Sequence, residues 1–284
     1  MVNGKYRREY PGAKSRSPGR AAIGLALVLA VTMVSACGAR HSNTVIVAGS
    51  TSVQPYAECL AEEFEMMHPD CAIDVQGGGS SAGITAVISG TADIGMSSRV
   101  LKESERDLWS AEICRDGLAV IVNPNNGVSN LTLEQLRGIY TGKITRWSEV
   151  GGRDARIHVI SREEGSGTRS AFEDLVMDGE EINPRSIIQD SNGAVIQLVA
   201  GDKDGIGFIS MGLCESSVKA LRLDGIAATA GNVINGSYSL FREFLFITDG
   251  APNEKAQQFI EFTLSPEGRQ ILIEEGLIPP ESAD

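Results

Sequence analysis

Thr44-Val45-Ile46-Val47-Ala48-Gly49-Ser50-Thr51-Ser52-Val53-Gln54-Pro55-Tyr56 carries the plan of the fold. Its first five residues are an uninterrupted apolar run, the pattern of a strand buried on both faces. Gly49 ends the run, and a Ser/Thr turn follows. Pro55 then opens a helical pattern with Tyr56, Leu60, Phe64 and Met67 on one side, which Pro69 terminates.

Outward from this unit the rhythm repeats. A strand at 71–76 meets Gly77-Gly78-Gly79, after which Ile84, Val87 and Ile88 mark a helix, and residues 93–96 form a short strand. Further on, 118–122 reads as strand, 133–140 as helix and 156–160 as strand. After the Gly/Ser turn that follows, 172–176 opens a helix. Residues 193–199 read as helix and 205–210 as strand, while 257–264 and 266–275 are amphipathic helices that must pack on something. Strand and helix in alternation predict an α/β fold of two units, each a mostly parallel sheet flanked by helices. The boundary falls near Asn123-Pro124-Asn125-Asn126-Gly127.

The N-terminal segment stands apart from this pattern. Lys5, Arg7, Arg8, Lys14, Arg16 and Arg20 precede the apolar run Ala21 to Val34, as in a secretory signal, and the run falls short of a membrane span. Val34-Ser35-Ala36-Cys37-Gly38 reads as a lipobox with Cys37 as the acylated residue. The alternative is a plain cleaved leader with Cys37 incidental. The leader's six bases and Glu9 give it a charge of +5, so its removal takes the formal charge from −12 to −17. Such a balance excludes nucleic acid as the partner. It permits anion capture, because a concave site is made locally positive by amide N–H groups and one Arg. Cys59, Cys71, Cys114 and Cys214 allow two disulfides in three pairings, or a set of buried free thiols. His41, His68 and His158 are scattered, so no metal site or cofactor is expected.

Three strand-turn-helix junctions share one chemistry: Gly49-Ser50-Thr51-Ser52, Gly79-Ser80-Ser81-Ala82-Gly83 and Gly165-Ser166-Gly167-Thr168. Helix starts offer unpaired N–H groups, hydroxyls add donors, and Gly admits close approach. One such turn is an ordinary cap, whereas three at equivalent places point to an anion. Arg162, just beyond its strand, adds a fork suited to a tetrahedral oxyanion, with Glu164 expected to orient it. Arg99 reads as a solvated surface residue. No nucleophile elbow, no phosphate loop and no base for a serine is present, so an enzyme is not expected.

These segments, with Ala92-Asp93-Ile94-Gly95-Met96-Ser97-Ser98-Arg99, Leu131-Thr132-Leu133-Glu134-Gln135-Leu136, Tyr140-Thr141-Gly142-Lys143-Ile144-Thr145-Arg146-Trp147 and Asp204-Gly205-Ile206-Gly207-Phe208-Ile209-Ser210, resemble the phosphate-binding proteins of bacterial ATP-driven phosphate importers. The resemblance implies a two-lobed periplasmic-binding-protein fold with the ligand in the cleft between lobes. It divides the chain into a signal peptide (1–36), a lipidated tether (37–43), a first lobe from 44–122 and 230–284, and a second lobe at 123–229. Carried over by motif, Thr51, Ser52, Ser80, Ser81 and Ser98 would line one wall, and Arg162, Ser166, Gly167 and Thr168 the other. It further implies a monomer, lipid-anchored on the extracytoplasmic face, that delivers inorganic phosphate to a membrane permease and its ATPase. One departure stands out. Well-known members carry an Asp where this chain has Ser98, which weakens exclusion of sulfate. Binding of sulfate, molybdate or tungstate, and a non-transport adhesion or sensory role, are the alternatives.

Overall fold

A computed structural model describes residues 43–280. The expected leader, the lipobox and Cys37 lie outside the described residues.

β1 (Thr44–Gly49) is parallel to both β2 (Ala72–Gly77) and β3 (Ile94–Ser97), with α1 (Gln54–Met67) and α2 (Ser80–Ile88) as the crossovers. Gly49 has φ +143°, and a Cβ there would stand 2.3 Å from the Met96 carbonyl, so only glycine lets β1 lie this close to β3. The sheet then runs into β4 (Trp109–Val122), a strand of 14 residues. Beyond it come β5 (Asn130–Leu131), α3 (Leu133–Thr141), β6 (His158–Arg162), α4 (Gly167–Phe172), β7 (Ile187–Gln189), α5 (Asn192–Gly201) and β8 (Gly205–Ser210). The chain finishes with β9 (Lys219–Ala220), β10 (Arg222–Leu223), α6 (Ala230–Ile234), β11 (Phe241–Thr248), α7 (Glu254–Leu264) and α8 (Pro266–Glu274).

One sheet runs through the molecule in the order β2-β1-β3-β11-β4-β8-β6-β7. The parallel trios at its two ends are joined by β11 and β4, which run antiparallel to each other. Residues 109–117 of β4 pair with β11, and Leu118–Val122 pair with β8. Hydrophobic cores form on both sides of that handover. α1 places Tyr56, Leu60 and Phe64 with Val45, Val47, Phe244, Phe246 and Phe259 of α7, and the C-terminal helices pack here. Beyond Gly117 the strand alternates between two further cores. Leu118, Val120 and Val122 face Tyr140, Phe172 and Phe208, while Ala119 and Ile121 face Val195 and Val199. Burial on both faces explains the unbroken apolar run at 118–122.

Several expectations need correction. β4 begins nine residues before the expected Leu118, because its first part, Trp-Ser-Ala-Glu-Ile-Cys-Arg-Asp-Gly, mixes polar and apolar residues. β6 lies two residues later than expected, so Arg162 closes the strand instead of following it. The helix expected from Phe172 starts at Gly167, and residues 173–177 continue it as a π turn. Met67, counted on the apolar side of α1, is exposed. All four described cysteines are free thiols, with Cys71 and Cys114 buried and Cys214 exposed.

Candidate functional site

The three Gly/Ser/Thr junctions meet where the two halves of the sheet face each other. Ser50, Thr51 and Ser52 follow the carboxyl end of β1. Ser80 opens α2 directly after Gly79, and Ser98 follows β3. Across the seam Ser166 caps α4, its hydroxyl accepting from the Arg169 amide at 3.2 Å.

Contacts cross the seam at several points. The Ser52 and Thr168 hydroxyls share a hydrogen bond of 2.8 Å. Arg162 Nη2 donates to Thr51 Oγ1 at 3.2 Å, and the Ser81 amide donates to the Gly165 carbonyl at 3.2 Å. Ser50 Oγ donates to Ser98 Oγ at 2.8 Å, and the Ser98 amide donates to Ser80 Oγ at 3.1 Å. Gly167 sits against this hydroxyl pair so closely that a Cβ would lie 2.3 Å from Ser80 Oγ and 2.5 Å from Ser98 Oγ. Ser52, Ser80, Ser98, Arg162, Ser166 and Thr168 are all buried. Ser81 differs: its backbone joins the seam, while its hydroxyl accepts from Arg99 at 3.4 Å.

Arg162 is 1% exposed. Glu163, not the expected Glu164, orients it, accepting from Nε and Nη2 at 3.0 Å each. The Gln189 and Asp190 carbonyls accept from the same edge. Nη1 is buried without a protein partner. Arg99, expected on the surface, is instead 3% exposed and grips both Glu105 oxygens, at 2.7 and 2.9 Å. Those hydrogen bonds hold the Glu105 carboxyl below its usual pKa.

A second charged cluster, which no sequence motif marks, lies beside the first. Arg242 of β11 lies opposite Asp116 of β4 in the ladder. Its Nε and Nη2 donate to Asp116 Oδ2 at 3.3 and 3.0 Å, and Nη2 also donates to Ser52 Oγ at 3.0 Å. Asn192 Nδ2 donates to the same Ser52 hydroxyl at 2.9 Å, and its Oδ1 accepts from the Ser210 amide at 3.2 Å. Ser210 Oγ donates to Asp116 Oδ1 at 2.8 Å, closing a ring of five buried residues in which Ser210 takes part through both its amide and its hydroxyl. Burial pushes the Asp116 carboxyl up and the Arg242 guanidinium down, while their mutual attraction opposes both shifts. Asp116 and Arg242 are 126 positions apart, and no local motif marks either. The only available signal was a pair of opposite charges inside otherwise strand-like segments.

This arrangement is chemically one of donors. Hydroxyls, amides and two guanidinium groups converge, and the nearby carboxylates, Glu163 and Asp116, are already occupied by arginine. It suits an anion with several oxygens. His158 lies at the far end of β6 from Arg162 and pairs with Asp202, and His68 stacks on Phe64. Among the described residues no cluster of His, Cys, Asp and Glu could hold a metal ion, and no helix is long and apolar enough to cross a membrane.

Comparison with known proteins agrees with this frame. The family profile of the PBP superfamily domain matches residues 34–267. The phosphate-binding protein PstS of Bacillus subtilis is 33% identical over 246 residues, covering 84% of this chain and 82% of that protein. Among solved structures, a phosphate ABC transporter substrate-binding protein from Clostridium perfringens, described with bound phosphate, has 45% identity and a TM-score of 0.82. That match covers 84% of this chain and all of the other. An ABC-type phosphate transport receptor from Vibrio cholerae has 39% identity and a TM-score of 0.70, over 83% of this chain and all of that one.

Proposed function

For a chain that belongs to the phosphate-binding proteins of bacterial ATP-driven importers, within the periplasmic-binding-protein superfamily, we propose capture of inorganic phosphate between the lobes and its delivery to a membrane permease and ATPase. The observation that carries this reading is Arg162. It is buried, clamped on one edge by Glu163 and two carbonyls, bonded through Nη2 to Thr51 across the seam, and left with Nη1 buried and unpartnered. A buried donor of this kind is costly unless a ligand oxygen accepts from it.

In this reading Thr51, Ser52, Ser80, Ser98, Arg162, Ser166, Gly167 and Thr168 surround the anion, with Ser81 contributing its backbone side. The protein binds and releases, with no bond made or broken. The first lobe, at 44–122 and 230–284, and the second, at 123–229, rotate about the paired strands β4 and β11. Ligand contact from both lobes then favours the closed form that the permease recognises. The chain works as a monomer outside the cytoplasm, held to the membrane by acylated Cys37. Supporting the anchor are the Ser35-Ala36-Cys37 sequence and the basic, apolar leader before it.

A second reading, capture of sulfate or a related oxyanion, draws support from Ser98. The hydroxyl cluster has no unoccupied carboxylate to demand a ligand proton, as Asp116 and Glu163 are both engaged. Calorimetric titration of the purified full chain with phosphate, sulfate, molybdate and arsenate distinguishes the readings. Phosphate is expected to bind tightest, and equal or tighter sulfate binding would overturn the phosphate assignment. For the anchor, Cys37→Ala is expected to release the protein from membranes and abolish incorporation of labelled lipid.

A further inference from the structure

Arg162 and Arg242 are held in the same way, and the likeness is informative. In each, Nε and Nη2 turn to one carboxylate, Glu163 or Asp116. In each, Nη2 also reaches a residue of the first Ser/Thr turn, Thr51 or Ser52. Nη1 is buried and unpartnered in both. The carboxylate fixes the plane of the guanidinium and leaves the remaining nitrogen directed elsewhere. The two are near enough that the charge of Arg162 disfavours the charge of Arg242, a repulsion that an anion between them would relieve.

Resting on the anion-binding reading above, we propose that Arg242 is a second ligand-contacting cation, donating from Nη1 to a tetrahedral oxyanion, and that Asp116 is its positioning residue. Arg162 comes from β6 in the second lobe, and Arg242 from β11 where that strand passes between lobes. The anion is therefore held from the second lobe and from the hinge at once, in addition to the hydroxyls of the first lobe. Ser52 is the connecting member, because its hydroxyl meets Arg242, Asn192 and Thr168 together. A tetrahedral ligand can offer one oxygen to each Nη1 and still present others to the surrounding hydroxyls, whereas a carboxylate has only two oxygens to share among them.

The decisive variant is the double substitution Asp116→Asn with Arg242→Gln. It keeps hydrogen-bonding groups in the ring and removes both buried charges together, which proteins tolerate far better than loss of one partner. Calorimetry with phosphate on the full chain, beside a thermal melt, is the measurement. A cooperative melt with phosphate affinity down about thirtyfold or more supports the proposal. A cooperative melt with affinity within about threefold of the parent overturns it and leaves the pair as a structural brace of the hinge. Arg242→Lys provides the test if the double variant fails to melt cooperatively: it retains the charge beside Asp116 but lacks Nη1. A loss of at least about tenfold is expected, and unchanged affinity refutes the contact. Asp116→Asn alone is expected to weaken phosphate binding while Arg242→Lys in that background weakens it no further, as befits a residue acting through another. Failure of the parent itself to bind phosphate would instead remove the underlying functional reading.

Discussion

Replacing Gly167 by Ala tests whether closure of the lobes is what binds the anion. A Cβ at this position would stand 2.3 Å from Ser80 Oγ, 2.5 Å from Ser98 Oγ and 3.0 Å from the Ser98 carbonyl carbon. The hydroxyls cannot simply rotate away, because Ser98 accepts from Ser50 at 2.8 Å and Ser80 accepts from the Ser98 amide at 3.1 Å. The seam must therefore widen by about an ångström, a case of overpacking that costs roughly 1–3 kcal/mol. That cost falls on the closed form alone. In the separated form Gly167 is merely the first residue of a helix, where Ala restricts the unfolded chain and adds about 0.4–1 kcal/mol of stability. The two consequences have opposite signs. Phosphate affinity should fall by about five- to 150-fold, while the melting temperature without ligand stays level or rises. Paired calorimetric titration and thermal melts read both quantities. Parent-like affinity in a folded Gly167→Ala protein would refute the idea that these hydroxyls and Gly167 close upon the ligand.

Arg162→Ala should weaken phosphate binding by roughly 2–5 kcal/mol, and Arg162→Lys should restore only part of it; titration of both variants checks this. Ser98→Asp places a fixed acceptor against Ser50 and Ser80, so sulfate binding should fall more than phosphate binding in parallel titrations at equal ionic strength. Glu105→Gln addresses the Arg99–Glu105 ion pair. Because Arg99 depresses the folded-state pKa of Glu105, its contribution is complete above the usual carboxylate range and is lost as pH falls through the depressed value. The variant should thus melt earlier than the parent near neutral pH, with the gap closing in acid.

The legible parts of this molecule are those whose signal is local. An apolar run followed by Gly, Ser and Thr can be read at 44–52 because burial on both faces and the turn are written in adjacent residues. The same holds for Gly205–Ser210, which forms the strand expected of it. Arg162 could be nominated from its neighbours, though its orienting partner was misplaced by one residue, since the turn after β6 decides whether 163 or 164 folds back. Arg242, Asp116 and Asn192 were invisible for the opposite reason. Each is an unremarkable polar residue in its own segment, and only the pairing of β4 with β11 and the placing of α5 bring them to Ser52. Arg99 reads as a surface residue for a similar reason: its burial depends on Glu105 turning back over it. The first part of β4 was missed because a strand passing between two cores has neither a continuous apolar run nor a clean alternation.

The passage of β4 and β11 between the cores also sets an order of assembly. The cores beyond Gly117 draw on residues 118–240 apart from Ile278, so nearly all their members emerge together during synthesis. The core around Phe64 cannot finish then, because β11 belongs between β3 and β4 in the sheet, and Phe244, Phe246, Phe259 and Leu272 arrive last. The first-made lobe is thus the last to be completed, its early strands waiting with an open edge while the later lobe folds. A chain ending at Leu240 should accordingly show slow amide exchange in β6 and β8 and fast exchange in β1 and β3.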